Sequence, residues 1–352
     1  MLIAGAGMAG LCAAARAREL GLRPLVLEKG DRPGGSMLLS SGVVWRHRSV
    51  ADFRRACPGG DPQLQRQIVE RLDDALDWLE SLGAPLVASG TRNPHTVGRR
   101  FDPPGLTRTL VDRAGGVQLG RGLVPGTGTA PEEPLVLATG GFPVRLAALL
   151  GLPLRANPWS EGDGFDFATE RGAAATRGMD EFYGRAMPAP PGRWDEADYV
   201  ALAQLYGRVA EVFDEVGARI PVDADDWSEN GLVQEIAGRG GTAWYVVGAE
   251  SLGYETPYGT VAEAIERVRL AGGTVDERSD GRYAVHVAAA VTHTIGGVAI
   301  DDRAHVLGED GQPVEALYAA GVDAGGIATG GYASGLAAAL VFGLIAAEEV
   351  AT

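Results

Sequence analysis

Three glycines near the start, Gly5, Gly7 and Gly10 of GAGMAG, and an acid further on, Glu28, form the first group of residues able to do chemistry. Their types and spacing suit a phosphate-bearing dinucleotide. Gly5 allows a tight turn, Gly7 lets the backbone approach a pyrophosphate, and Gly10 lets a following helix pack on its strand. Met8 and Ala9 open that helix, whose first N–H groups and positive dipole end attract phosphate. Glu28 would accept hydrogen bonds from an adenosine ribose. The motif needs a strand before it and a helix and second strand after it. Leu2 to Ala4 is a short apolar strand, Met8 to Leu20 reads as an Ala-rich helix ended by Gly21, and PLVLEK is a strand finishing in Glu28. The loop alone leaves NAD and FAD both open.

The rest of the composition bounds the setting. A chain of 352 residues forms one large or two closely joined domains, and its 52 glycines, about double ordinary usage, favour turns and close backbone contacts. A net charge of -15 argues against nucleic acid or an anionic membrane as partner. The two cysteines, Cys12 and Cys57, and the scattered histidines imply neither a disulfide framework nor a metal site. A strand beginning at the second residue leaves no room for a signal peptide. The longest apolar stretch, LAAALVFGLIAA, is too short to cross a bilayer. A soluble, cytoplasmic protein is the expectation.

Along the chain, GDRPGGSMLLSSGVVW reads as a loop, and DPQLQRQIVERLDDALDWLESLG as a helix with an Asp-Pro start. Helices are also expected from Pro104 to Ala114, from Thr260 to Ala271 and in SGLAAALVFGLIAAEEVA. Short strands are expected on both sides of PGTGTAPEEP, in TAWYVVG and in YAVHVAAAVTHTIGGVAID, and a hairpin in AHVLGEDGQPVEALYAAGVD. GTGTAP contains a G-x-G but runs into Pro131 and acids, so it reads as a hairpin loop and no second nucleotide fingerprint is present. From about Phe165, aromatics, prolines and charges replace the small-residue texture. The expected division is therefore 1–164 and 285–352 as one discontinuous domain, with 165–284 inserted as a substrate or cap domain.

In order, GAGMAG, Glu28-Lys29, GGSMLLSSGVVW, VLATGGF, EGDGFDFA, THTIGGVAID and LYAAGVDAGG resemble the flavoprotein family of fumarate reductases, succinate dehydrogenase flavoprotein subunits and 3-ketosteroid dehydrogenases. The resemblance spans nearly the whole nucleotide domain. It implies an α/β fold, a Rossmann-like FAD-binding domain of parallel sheet and flanking helices interrupted by an α+β cap. It also implies FAD as the dinucleotide, with Lys29 beside Glu28, Gly34, Gly35 and Ser36 near the pyrophosphate and ribityl chain, and Ser40, Ser41 and Gly42 approaching the flavin ring. Ala138, Thr139 and Gly140 end a strand at the carboxyl edge of the sheet, where such folds bind ligands. Asp163 lies in EGDG. Gly321 and Asp323 follow LYAA, and Asp323 would accept from ribityl or ribose hydroxyls, although the family often carries its acid where Val322 stands. Ser334 and Leu336 begin the last helix, whose N-terminus would face the flavin and stabilise its anionic reduced form. Met37 and Leu38 stand where one branch has the histidine that binds flavin covalently, so non-covalent FAD is expected.

The family moves a hydride between flavin and a carbon next to an activated C–C bond, and the protein must supply a carbonyl-polarising donor and a proton-exchanging group. Branches acting on dicarboxylates use arginines for this. Here Tyr332 stands about where that branch has an arginine, Tyr206 stands near another with Arg208 two residues on, and Thr292 takes a histidine's place with His293 next. The Y-x-S-G of Tyr332, Ser334 and Gly335 resembles the ketosteroid dehydrogenase branch instead. A phenol suits a ketone, donating to its oxygen or exchanging a proton. The expected catalytic residues are thus Tyr332, then Tyr206, then Tyr183 of EFYGR, with His293 beside them; Tyr245, Tyr254 and Tyr258 also lie in the cap. The expected activity is dehydrogenation beside a ketone of an apolar cyclic, steroid-like substrate, with an electron acceptor or donor that the sequence leaves unnamed. The alternatives are an ene-reductase of fumarate-reductase type and a non-catalytic redox sensor. The chain is short for the family and lacks a longer strand meander between Gly116 and Pro134, which implies a smaller cap and a more open pocket.

Overall fold

The structure is a computed structural model that describes residues 1–123 and 133–352. Most of the stretch expected to form a loop around GTGTAP falls outside the described residues. Contacts divide the chain into two units. One comprises 1–144, 157–181 and 293–352, the other 145–156 and 182–292.

The first unit is built on a six-stranded sheet in the order His305–Leu307, Pro313–Ala319, Leu135–Leu137, Leu2–Ala4, Leu25–Glu28, Gln118–Leu119. All neighbours are parallel except the hairpin of the first two strands. The strands at its centre are short apolar runs, as a sheet covered on both faces requires. Helix Met8–Glu19 follows the first strand and packs on the last helix, Gly335–Val350. Both are rich in small residues, and their backbones come close. A Cβ added at Gly343 would lie 2.6 Å from the Ala9 carbonyl oxygen. Helix Pro62–Ser81 starts as its sequence demands, with Asp61 accepting from the Gln63 and Leu64 amides at 2.7 and 3.1 Å. The stretch read as a loop from 30 to 45 instead holds a one-turn helix, Gly35–Leu38, and the start of strand Val43–His47. That strand pairs with Thr96–Phe101, which pairs with Leu86–Ser89, in a separate antiparallel sheet.

The second unit has a mainly antiparallel sheet in the order Arg219–Ile220, Glu211–Phe213, Thr242–Val247, Tyr283–Thr294, Val275–Glu277, with Phe182–Pro188 also on the long strand. Helix Asn230–Gly238 covers the strand Phe182–Pro188. Helix Val261–Leu270 begins with a capping box, Thr260 accepting from Glu263 N at 3.3 Å and Glu263 from Thr260 N at 2.8 Å. YAVHVAAAVTHT is one continuous strand and not the short strands expected.

The units change after Glu181 and Thr292, where composition drew the boundaries after 164 and 284, and 145–156 joins the second unit. The reason is local bonding. Helix Asp163–Thr169 is tied to the first unit by the Gly164 amide donating to Thr139 Oγ1 at 3.2 Å, and the return is made inside a strand rather than at its start. Among the described residues no helix is long and apolar enough to cross a membrane.

Candidate active site

The glycine loop separates into structural and ligand-facing positions. Gly5 has φ +105°, and a Cβ there would overlap the Ala138 carbonyl; one at Gly10 would overlap the Gly5 carbonyl. A Cβ at Gly7 would meet only Gly34 O, at 4.0 Å, so that face is open to an incoming group. Gly7 is also the N-cap of the first helix, with no side-chain cap and no acid in the first turn. Unsatisfied N–H groups and room beside a glycine are what a pyrophosphate requires, and the loop fits a dinucleotide. Glu28 is buried at the strand end and accepts from the amides of Ala6 at 2.8 Å and Gly30 at 2.7 Å. It therefore fixes the loop as well as offering its remaining lone pairs. Lys29 pairs with Glu161 and, at 2.9 Å, with Asp163, so these two predicted site residues hold each other.

Around this loop, Gly34 donates to Ala6 O at 2.8 Å, at φ +114°, and Gly35 and Ser36 begin the one-turn helix. The Ser40 hydroxyl donates to Met37 O at 2.7 Å and accepts from Gly42 N at 3.0 Å; the Ser41 carbonyl accepts from Arg100 Nε at 3.0 Å. Both serine groups thus shape the turn that ends at Gly42. Ala138, Thr139 and Gly140 lie at the carboxyl end of Leu135–Leu137, as expected. Asp323, 1% exposed, accepts from Thr139 N, from Thr139 Oγ1 at 2.9 Å and from Gly141 N at 3.1 Å. Its carboxyl works within the protein, capping this turn, and burial pushes its pKa up. Gly321, at φ +71°, lies against Ala9.

The last helix starts where the sequence placed it. Ser334 Oγ accepts from Ala337 N at 3.3 Å and from Trp45 N at 3.4 Å, and Leu336 lies in the first turn. Tyr332, half-buried, meets Trp45 edge-on at 5.6 Å between ring centroids and lies 6.3 Å from His293. His47 and Cys57 both hydrogen-bond to the Tyr332 backbone. His293 Nδ1 is 3.1 Å from Thr294 O. A carbonyl only accepts, so Nδ1 carries the proton and Nε2 presents a lone pair, close to Gly335 at the helix start. Burial lowers the imidazole to about 4, so it is neutral at pH 7. The engagement of His47, Cys57 and Trp45 with residues 332 and 334 was not foreseen, since nothing local marks a partner nearly three hundred positions away.

In the second unit, Tyr206 is fully buried and meets Tyr245 edge-on at 5.5 Å. Neither hydroxyl has a hydrogen-bond partner among the described residues, and burial raises both phenols. Beside them Glu229, 4% exposed, accepts from Arg208 N at 3.4 Å, and burial pushes its carboxyl up to about 7. The Arg208 guanidinium lies 3.9 Å over the Trp227 ring. Tyr183 is 8% exposed under the Arg185 guanidinium at 4.8 Å. Glu229 was missed because an isolated acid in WSEN gives no sign of burial. Among the described residues no three His, Cys, Asp or Glu side chains are placed to hold a metal ion.

The sequence model of the FAD binding domain family matches residues 1–130 and 129–335. The chain belongs to this family. It is 25% identical over 453 aligned residues to a fumarate reductase (cytochrome) from Shewanella frigidimarina, covering 100% of this chain and 76% of that protein. Its fold is similar to 3-ketosteroid delta1-dehydrogenase from Sterolibacterium denitrificans, with TM-score 0.74 and 15% identity over 99% of this chain and 98% of the other. It is also similar to 3-ketosteroid-delta4-(5alpha)-dehydrogenase from Rhodococcus jostii RHA1, with TM-score 0.72 and 19% identity over 100% and 96%. As a member of the FAD binding domain family the chain is an FAD-dependent oxidoreductase, and the dinucleotide left open by the glycine loop is FAD.

Proposed function

We propose that this enzyme dehydrogenates the Cα–Cβ bond beside a ketone of an apolar cyclic substrate, with Tyr332 binding the ketone oxygen or exchanging the proton. The carrying observation is the setting of Tyr332. Tyr183 and Tyr206 are 8% and 0% exposed, whereas Tyr332 keeps access to solvent between Trp45 and neutral His293 at the start of the last helix. A phenol there can donate to a carbonyl, and its aromatic neighbour favours an apolar substrate over a charged one. Bound FAD supplies the hydride acceptor. Gly7 and the first helix start would hold the pyrophosphate, Glu28 the ribose, and residues 34–36, 138–140 and 163 the stretch between. Residues 40–42 and 334–336 would meet the ring. Met37, 2% exposed, offers no covalent attachment, so the flavin is held non-covalently.

A second reading, an ene-reductase acting on an unsaturated carboxylic acid, draws support from the relative in Shewanella frigidimarina and from Arg208, whose buried Nε has no hydrogen-bond partner among the described residues. Anaerobic spectra decide between them. Bleaching of the oxidised flavin band by cyclic ketones supports the dehydrogenase, and reoxidation of photoreduced enzyme only by an unsaturated dicarboxylate supports the reductase. Tyr332→Phe is expected to lower turnover by about 10²- to 10⁴-fold with flavin content unchanged; undiminished turnover removes Tyr332 from the reaction.

A further inference from the structure

We propose that Trp159 is the aromatic wall of the adenosine end of the FAD site, and that it makes the protein select the dinucleotide over flavin mononucleotide. The proposal builds on the FAD assignment and concerns a residue that no motif marks. Trp159 is the most exposed of the six tryptophans, at 40%. It lies over the end of the strand that carries Glu28. A Cβ built on Gly30 would be 2.8 Å from Trp159 Cδ1, 2.9 Å from its Nε1 and 3.1 Å from Glu28 Oε1. The pyrrole edge of the indole and the buried carboxylate therefore flank one spot, a donor beside an acceptor.

The segment that carries Trp159 is fixed. Asn157 Oδ1 accepts from Trp159 N at 3.2 Å, Trp159 O accepts from Glu161 N at 3.0 Å, and Ser160 Oγ donates to Thr139 O at 3.4 Å. Lys29 then ties Glu161 and Asp163 to the strand end. A half-exposed indole on a pinned segment is a poor arrangement for a folded chain in water, since it leaves a large apolar surface unburied. A purine next to a ribose held by Glu28 would cover it. Stacking of a base on an aromatic side chain tolerates many geometries and contributes substantially to affinity.

The test uses the full-length protein with wild-type, Trp159→Phe and Trp159→Ala chains. FAD dissociation is read as the rise in flavin fluorescence on dilution. Loss of the ring is expected to weaken FAD about tenfold or more, with phenylalanine retaining most of the affinity. Affinity of the flavin-stripped chains for flavin mononucleotide, which lacks the adenosine, should be equal in all three. ADP should quench a part of the indole emission that the phenylalanine variant lacks. Equal FAD affinity in wild type and alanine variant overturns the proposal, as does ADP quenching that survives in the phenylalanine variant. Should the alanine variant not fold, by circular dichroism, the ADP comparison between wild type and phenylalanine variant decides alone. A wild-type protein that takes up no flavin brings down the FAD assignment itself, a different result from unchanged affinity.

Discussion

Burial raises the Glu229 carboxyl from 4.5 to about 7, so the folded chain keeps a proton there that the unfolded chain gives up. Arg185 and the Gly207 and Arg208 amides oppose the rise, and Asp226 adds to it. A raised carboxyl contributes stability that is fully present below about pH 4.5 and lost as pH rises through about 7, roughly 3 kcal/mol in all. His293 has the opposite sign: its imidazole is lowered from 6.5 to about 4, and its contribution is full above 6.5 and lost as pH falls through about 4. Asp323 bends the curve in the same direction as Glu229. Urea unfolding of wild type and Glu229→Gln at pH 5 and pH 8 isolates the glutamate, since the opposing change at His293 is common to both chains. From pH 5 to pH 8 the change in stability should be more favourable in Glu229→Gln than in wild type by about 2.5 kcal/mol, and an equal change in both chains would show that the carboxyl is ionised in the folded chain at both pH values.

The strand-loop-helix of residues 2–19 joins two demands that substitutions can separate. Gly5→Ala forces a side chain into the Ala138 carbonyl at a positive φ, so it should destabilise the whole unit by several kcal/mol and lower the melting temperature whether or not FAD is present. Gly7→Ala meets nothing closer than 4.0 Å at an ordinary φ of -80° and should cost only about 1 kcal/mol without flavin, as alanine at an N-cap does, yet bind FAD much more weakly. Equal flavin affinity in Gly7→Ala would show that the pyrophosphate does not approach that face. These two glycines also show why the loop was legible in the sequence: turn geometry, helix packing and ligand approach are all local requirements. The one-turn helix Gly35–Leu38 was hidden because a single turn has no periodicity. The strand Tyr283–Thr294 was broken up in reading because its alanines carry weak strand preference, which its neighbours on both sides override. The site behaved likewise: the glycine turns were foreseeable, whereas the engagement of Asp323 with 139–141, the pairing of Lys29 with Glu161 and Asp163, and the burial of Glu229 are long-range facts.

For the molecule as a whole, the residues proposed to hold FAD come from segments far apart in sequence, all within the first unit. Ligand that binds only the folded form stabilises it by mass action, by about 2.7 kcal/mol at a hundredfold excess over its dissociation constant. Calorimetry should therefore show a transition that rises with added FAD, and a thermogram insensitive to FAD would remove the linkage between flavin and this unit. The net charge of -15 adds no obstacle beyond the loop itself, since the phosphates would meet helix N–H groups there.

The cap that Asp323 places on the 139–141 turn, together with the pairing of Pro313–Ala319 beside Leu135–Leu137, has a consequence in time. The strand next to the glycine loop has an open side until residues from near the end of the chain arrive. A ribosome making this protein releases the nucleotide loop early and its closing partner late, so the first half waits through most of synthesis with a sheet edge exposed. Closing this side of the sheet is then a late step of folding, because the pairing joins segments separated by most of the sequence.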